Sequence, residues 1–332
     1  MISLRTIKNA KFETIKCIIC DANDAELIYR GMGENGFEVH ECICKQCGFV
    51  YLNPRWDEDT YLQFYETTYD KYWRKNVPDI PPERNGTSYY LLYQRWMKYF
   101  PDFKPSYILD IGCGNGKKLA YIMQQFDAKY FGIEPSIASK PDIVNKGIHF
   151  IANDVNSDWD EDLENKFDFI IMRRTLEHFL NPIKVLTKAR NVISDNGLLY
   201  IAVPDALCKS NTLIGHNFTI VHPYFFSEYS LNNLLQKCGF EIVKIVNGNK
   251  SVNNELFVFA KLANNKISQI NYRTEDYEKT KSVFSTILKA ELSLKMKTKR
   301  FIKIVRMSIV RFKKMFHLKP IFQKKHQLLK ED

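Results

Sequence analysis

Seven residues, Asp110-Ile111-Gly112-Cys113-Gly114-Asn115-Gly116, follow the apolar run Tyr107-Ile108-Leu109 and restrict the architecture more than any other stretch. An apolar run that ends in an acid and then passes three alternating glycines reads as a strand entering a tight turn, where the missing Cβ atoms let backbone touch a ligand. Lys117 to Met123 reads as the following helix, its amide end turned toward that ligand. A dinucleotide loop is spaced Gly-x-Gly-x-x-Gly to seat a pyrophosphate. Here the spacing is Asp-x-Gly-x-Gly-x-Gly, one residue tighter, so the stretch reads as a nucleotide-cofactor loop of another kind. A plain strand-to-helix turn is the competing reading.

Between Pro105 and Lys261 strand-like and helix-like runs alternate, as a doubly wound sheet requires. Strands are expected at 107–110, 130–134, 148–152, 167–172, 197–203, 240–246 and 255–261. Only Asn247 to Asn253 separates the last two, too little for a crossover helix, so these should pair antiparallel. The second strand ends at Glu134, about twenty residues past the glycine loop. A carboxylate there can accept both hydroxyls of a nucleoside ribose. The third strand runs into Asn153-Asp154-Val155. Either acid alone would more often cap a helix or face solvent; in series with the glycine loop they read as a site.

The fourth strand continues into Arg173-Arg174-Thr175-Leu176-Glu177-His178-Phe179, and further on come Asp195-Asn196-Gly197-Leu198, His222-Pro223-Tyr224-Phe225-Phe226-Ser227 and Cys238-Gly239-Phe240. With the compact glycine loop, this set resembles the class I S-adenosylmethionine-dependent methyltransferases, and the likeness covers residues 106–262. The resemblance implies an α/β fold with a Rossmann-like seven-stranded sheet whose last strand is antiparallel, and S-adenosylmethionine (SAM) as cofactor. It implies Asp110, Gly112, Cys113, Gly114, Gly116, Glu134, Asp154 and Arg173 as cofactor residues, with Asp154 beside the adenine. His178 and His222 become the candidates for a general base, although either imidazole could equally be a core or capping residue. An unperturbed base of that kind gives a rate that rises near neutral pH. Three departures from the family pattern stand out. Pro141 should delay the helix after Glu134. Asn196 replaces a glycine at a turn, where a left-handed backbone is expected. Arg173 and Arg174 replace small polar residues, and signal either an anionic substrate or a paired surface arginine.

Five of the eight cysteines lie between Cys17 and Cys47. Cys17-Ile18-Ile19-Cys20 and Cys44-Lys45-Gln46-Cys47 are two knuckles 23 residues apart, a spacing suited to one tetrahedral zinc on four thiolates. Four thiolates leave no open coordination position, so Cys17, Cys20, Cys44 and Cys47 should hold a structural Zn2+. Cys42 is a rival ligand, and free or redox thiols are the competing reading. Gly48 suits the tight turn of the second knuckle, whereas the first has Asp21-Ala22 in that place. A cysteine head before a glycine loop resembles bacterial methyltransferases with a zinc ribbon, several of which act on sugars or polysaccharide precursors.

Four segments follow: a zinc-ribbon-like head at 12–56, an aromatic helical segment at 57–104 on the substrate side, the SAM-binding domain at 105–262, and a basic tail at 263–332. The formal charge of +10 belongs to that tail: residues 281–332 hold 15 lysines and arginines against 3 acids. From Lys299 to Phe316 basic and apolar residues alternate with helical period, a pattern that can lie on an anionic membrane surface. Docking against the domain or a partner is the plainer alternative. No apolar run is long enough to span a bilayer and no signal-peptide core follows Met1, so the expected location is cytoplasmic, with peripheral contact to the inner membrane face. The expected activity is methyl transfer to a small molecule, a sugar hydroxyl of a nucleotide- or lipid-linked glycan. RNA methylation is the alternative enzyme reading, drawn from the zinc head and basic tail and disfavoured because the basic residues show no interleaved stacking aromatics of the recognition-module kind, and a non-catalytic SAM-fold scaffold is the alternative from another class.

Overall fold

The computed structural model describes residues 10–34, 36–65, 67–68, 82–164, 166–208, 213–250, 254–264 and 274–293. The basic amphipathic stretch from Lys299 to Phe316 lies outside the described residues, as do Tyr69, Tyr72 and Trp73 of the aromatic segment.

The chain begins with short strands β1 (Phe12–Glu13), β2 (Ala25–Met32), β3 (Glu38–Cys44), β4 (Val50–Leu52) and β5 (Arg55–Trp56), then helices α1 (Glu58–Phe64) and α2 (Pro82–Tyr99). The alternating region supplies β6 (Tyr107–Ile111), α3 (Lys117–Ile122), β7 (Lys129–Ile133), α4 (Lys140–Asn145), β8 (His149–Ala152) and β9 (Phe167–Arg173). It continues through α5 (Pro182–Val192), β10 (Ile193–Pro204), β11 (Tyr224–Phe225), α6 (Glu228–Lys237), β12 (Phe240–Val246) and β13 (Glu255–Leu262), and α7 (Thr274–Leu292) follows.

Seven strands form one sheet in the order β12-β13-β10-β9-β6-β7-β8. The pairs from β10 to β8 are parallel, while β10 with β13 and β13 with β12 are antiparallel. All seven expected strands are present, and the final hairpin turns back as its short connection dictates. Central strands buried on both faces read as continuous apolar runs, and β6 and β9 carry Ile108, Leu109, Ile111, Phe169, Ile170, Ile171 and Met172 at full burial. The order reverses between β6 and β9, which opens a crevice at their carboxyl ends. Helices are started by their own caps. Asn181 accepts from the Lys184 amide at 3.1 Å with Pro182 beside it, and Ser227 with Ser230 forms a capping box at α6.

Pro141 acts as expected: a 3-10 turn at Ile137–Ser139 precedes α4, and the proline occupies its first turn. Asn196 does not take the expected left-handed conformation. Among the described non-glycine residues only Asp21, Arg174 and Asn254 have positive φ, and β10 passes through Asn196 with a register shift between Ile193 and Leu198. A bulge absorbs the turn in place of a left-handed residue.

The head forms a four-stranded antiparallel sheet in the order β11-β4-β3-β2, so its edge strand comes from the far later Tyr224–Phe225. Cys17, Ile19, Cys44, Cys47, Phe49 and Tyr51 share one buried cluster with β9, β10, α5 and α6. Helix α7 packs on the other side, where Phe284, Ile287 and Leu288 join Val39, Ile43 and Phe218. Its Tyr277 hydroxyl donates to Glu26, and Lys281 Nζ lies 2.8 Å from the same carboxylate. No described helix is long and apolar enough to cross a membrane.

Candidate active site

A cleft of about 1030 Å³ opens at the carboxyl ends of the strands. One end is made by the loops after β6, β7 and β8: Gly112, Gly114, Asn115, Lys117, Glu134, Asn153 and Asp154. The glycine loop needs its glycines. Gly112, Gly114 and Gly116 have φ of 82°, 60° and 75°, in the left-handed region. A Cβ on Gly112 would come within 2.4 Å of Thr175 Cγ2, while one on Gly114 would meet nothing within 4 Å. The Gly114 position thus faces open cleft, a cradle that a side chain would fill.

Glu134 is buried and clamps the loop, accepting from the Gly114 amide at 2.8 Å and the Ser136 amide at 3.1 Å. A carboxylate oxygen can accept more than one hydrogen bond, so the same group is of a type that can also receive a ribose hydroxyl. Asp154 is exposed at the wall, and its Oδ1 accepts from the Asn156 amide at 2.8 Å. Asp110 is fully buried at the base of the loop, with Lys118 Nζ at 2.9 Å from Oδ1 and 2.8 Å from Oδ2, and does not line the cleft. Cys113 also turns inward, its Sγ filling the space beside Gly132. Gly116 packs toward Ile148. Arg173 points away from the cleft to Glu255, 2.7 Å from Oε1.

The other end is aromatic and carries the histidines. Tyr61, Leu62 and Tyr65 from α1 and its continuation, Tyr89 from α2, and Arg174, Thr175, His178 and Phe179 after β9 line it. The His178 and His222 rings pack edge to face with centroids 4.5 Å apart. His178 lines the cleft and His222 stands behind it. Tyr65 Oη lies 3.0 Å from His178 Nδ1, and Tyr61 donates to the carbonyls of His178 and, at 3.0 Å, Val221. Asn217 O lies 3.2 Å from His222 Nδ1. Burial pushes the His178 pKa down to about 4, the neighbouring Arg174 charge acting in the same direction. The ring is therefore neutral across the physiological range. Burial pushes the adjacent Glu177 carboxyl up to about 7.

The fold thus gathers Gly112, Gly114, Glu134, Asp154 and His178 on one cleft, and holds Asp110, Cys113, Gly116, Arg173 and His222 in the layer behind. Tyr65 and Tyr89 bring the aromatic segment to the cleft, whereas Thr175 and Arg55 line it with no sequence signal of their own. Tyr65 and Tyr89 lay in an aromatic run with no marker separating wall from core. Arg55 followed the second knuckle, and nothing local showed that its guanidinium crosses to the Leu180 carbonyl at 2.8 Å and to Tyr224.

In the head, Cys17 and Cys47 sulfurs are 3.5 Å apart and Cys20 and Cys44 sulfurs 3.4 Å apart, and all four are unbridged. Tetrahedral zinc with bonds of about 2.3 Å spaces its sulfurs by slightly more, so the four thiols are compatible with one zinc ion. Cys42 is directed elsewhere, toward the Asn53 carbonyl at 3.4 Å. Gly48 makes the second knuckle's turn at φ 71°, and Asp21 takes the same left-handed role at φ 59° in the first. Lys237 at the end of α6 steadies that turn, binding Asp21 Oδ2 at 2.8 Å and the carbonyls of Ile18 and Ile19 at 3.0 and 3.1 Å.

A family model described as a methyltransferase domain matches residues 86–245. Among curated proteins, the chain is similar to an O-methyltransferase, cnsE, of Penicillium expansum, at 26% identity over 148 residues, which is 42% of this chain and 53% of that protein. It is also similar to the tRNA U34 carboxymethyltransferase of Campylobacter fetus subsp. fetus, at 27% identity over 143 residues, 40% of this chain and 48% of that one. The chain therefore spans about half the length of the curated relatives it matches. Among solved structures, the plantazolicin methyltransferase BpumL in complex with SAH superposes with a TM-score of 0.48 and 19% identity, covering 61% of this chain and 94% of that one. The family-model match and the strand order together make residues 86–245 the centre of a class I SAM-dependent methyltransferase domain.

Proposed function

We propose that the chain transfers the methyl group of SAM to a small-molecule acceptor, a sugar hydroxyl of a nucleotide- or lipid-linked glycan. The observation that carries this reading is a single cleft joining a glycine and carboxylate end to a tyrosine and histidine end. On this reading Gly112, Gly114, Glu134 and Asp154 hold the cofactor, with Asp110, Cys113, Gly116 and Arg173 supporting the loop from behind. Bound there, SAM would supply an electrophilic methyl group. The chain's own contribution is alignment, worth several orders of magnitude in rate when reacting atoms are held in line. Tyr61, Tyr65 and Tyr89 offer flat apolar faces with polar rims, a wall suited to a polyhydroxylated ring. His178, neutral and bonded to Tyr65, accepts the acceptor's proton as methyl transfer proceeds, and His222 fixes its ring.

The zinc ion is structural on this reading, and the segments 12–56, 57–104, 105–262 and 263–332 are proposed as head, substrate wall, cofactor domain and tail. Methyl transfer is tested with labelled SAM on a panel of nucleotide- and lipid-linked sugars, with bulk tRNA as the competing acceptor. His178→Ala should lower turnover about a hundredfold while SAM binding by calorimetry stays near wild type. Near-wild-type turnover in both His178→Ala and His222→Ala removes the base. Labelling of tRNA alone favours the RNA reading.

A further inference from the structure

Glu177, His178 and His222 meet at the tyrosine end of the cleft. Glu177 and His178 sit on a 3-10 turn at Leu176–His178 just after β9, and His222 precedes β11. Tyr61 pins these two distant loops together, its hydroxyl lying against the His178 carbonyl and, at 3.0 Å, the Val221 carbonyl. One carboxylate oxygen of Glu177 and one nitrogen of each ring lie within 4.8 Å of one another. Glu177 is 2% exposed, and its Oε2 has no hydrogen-bond partner among the described residues. An oxygen taken out of water in this way is costly to keep unless a donor or a cation meets it.

A neutral imidazole keeps its hydrogen on one nitrogen and a lone pair on the other. The Asn217 carbonyl, 3.2 Å from His222 Nδ1, and the Val221 carbonyl, bonded to the His178 ring, can only accept, so each fixes the hydrogen of its ring. The lone pair of each ring is thereby assigned to the opposite nitrogen. Backbone carbonyls play this orienting part behind metal-bound histidines. His178 also lines the cleft, which gives an ion a way in. Arg174 is the opposing charge that Glu177 and His178 both sense, and its Nε lies 3.1 Å from the Glu255 carboxylate, which offsets part of it.

We propose that Glu177, His178 and His222 form a binding site for a divalent transition-metal ion of the Zn2+ or Co2+ class, distinct from the four-cysteine centre. Two imidazoles and one carboxylate suit such an ion, whereas Mg2+ and Ca2+ prefer oxygen shells. Three protein ligands leave a coordination position open, unlike the closed cysteine shell. Without a thiolate this site is the weaker of the two, and it fills only when the ion is supplied. It stands on the cluster alone and goes beyond the methyl-transfer reading. Where His178 serves as the base, the ion and the acceptor's proton compete for one lone pair, so the two uses exclude each other.

The test titrates the full chain, its four-cysteine zinc in place, with Zn2+ by calorimetry and with Co2+ by visible absorption. Wild type should take up one further Zn2+ saturably. His222→Ala and Glu177→Gln should each weaken that uptake about ten- to a hundredfold, with melting temperatures near wild type. His222→Gln and His178→Gln replace either variant that does not fold. Co2+ should give the spectrum of nitrogen and oxygen coordination, without thiolate charge-transfer bands. No further uptake by wild type, or equal uptake by wild type and the variants, overturns the proposal. Thiolate bands overturn it as well, because the ion then enters the cysteine centre. Equal competition by Mg2+ rejects the assigned class of ion. S-adenosylhomocysteine binding is read in a separate titration, and its absence counts against the methyltransferase reading alone.

Discussion

Two glycines of one loop do different work, and single methyl groups separate them. Alanine at Gly112 meets Thr175 at 2.4 Å and also forces a side chain into φ 82°, so Gly112→Ala should cost about 3 kcal/mol of stability. Alanine at Gly114 carries only the backbone cost of about 1 kcal/mol, because nothing lies within 4 Å of the added carbon. That carbon stands in the cleft, so Gly114→Ala should lose about tenfold or more in SAM affinity with a nearly wild-type urea midpoint. Equal SAM affinity in wild type and Gly114→Ala would remove this loop from the cofactor site. The position of His178 sharpens a second expectation. The sequence suggested a rate rising near neutrality, but burial takes the ring to about pKa 4. Activity should therefore be lost only as pH falls toward 4 and stay flat from about pH 5 to 8. An acid limb near 6.5 that vanishes in His222→Ala would assign the base to His222 instead. Glycines and strand-end acids were legible because their meaning is local spacing. The Tyr65 contact to His178 and the Arg174 contact to Glu255 join residues 113 and 81 positions apart, and no local pattern encodes such pairs.

The cysteine knuckles show how an element's role depends on what it is packed against. The pairing Cys17, Cys20, Cys44 and Cys47 was readable because two Cys-x-x-Cys turns leave few geometries, but the sequence portrayed the head as a module of its own. In the fold, Tyr224–Phe225 completes its sheet and Lys237 of α6 holds the first knuckle, so the head is joined to the seven-stranded domain at both places. Both are contacts across roughly 170 to 220 residues, beyond the reach of periodicity. Elemental analysis should find one zinc per chain, and chelation should lower the melting temperature of the whole protein in one transition. An unchanged melt after complete zinc removal would show the metal to be peripheral. Strand β3 carries a further test. Glu41 is fully buried with neither carboxylate oxygen bonded among the described residues, and burial raises its pKa well above the ordinary carboxylate value. The folded chain keeps this proton above pH 4.5 while the unfolded chain releases it, so wild-type stability falls as pH rises from there. Glu41→Gln lacks that titration. Its stability relative to wild type should increase with pH above about 4.5 and stay constant below it, as urea midpoints across pH would show; a parallel pH dependence in both proteins rejects the assignment.

At the scale of the whole molecule the charge distribution separates the chain into a nearly neutral body and a basic end. Residues 294–332 hold 13 lysines and arginines against 2 acids. The sequence drew the tail from residue 263, whereas Thr274–Leu292 packs as α7 on the head, with Phe284 fully buried and Glu291 accepting from the Leu213 and Ile214 amides. A truncation near Lys279 would cut through that packed helix and confuse unfolding with loss of membrane contact. The informative cut lies after Ser293. Basic residues near an anionic surface contribute about 1 kcal/mol each, so even a few engaged side chains should give measurable binding to vesicles containing anionic lipid at low salt. The full chain should float with such vesicles and remain behind with neutral ones. A chain ending at Ser293 should remain behind with both, with methyl transfer to a soluble acceptor intact. Raising salt from 50 to 500 mM should release the full chain, because screening weakens surface contacts. Equal flotation of the two chains on anionic vesicles would refute membrane attachment through the tail and leave docking to a partner as the use of its charge.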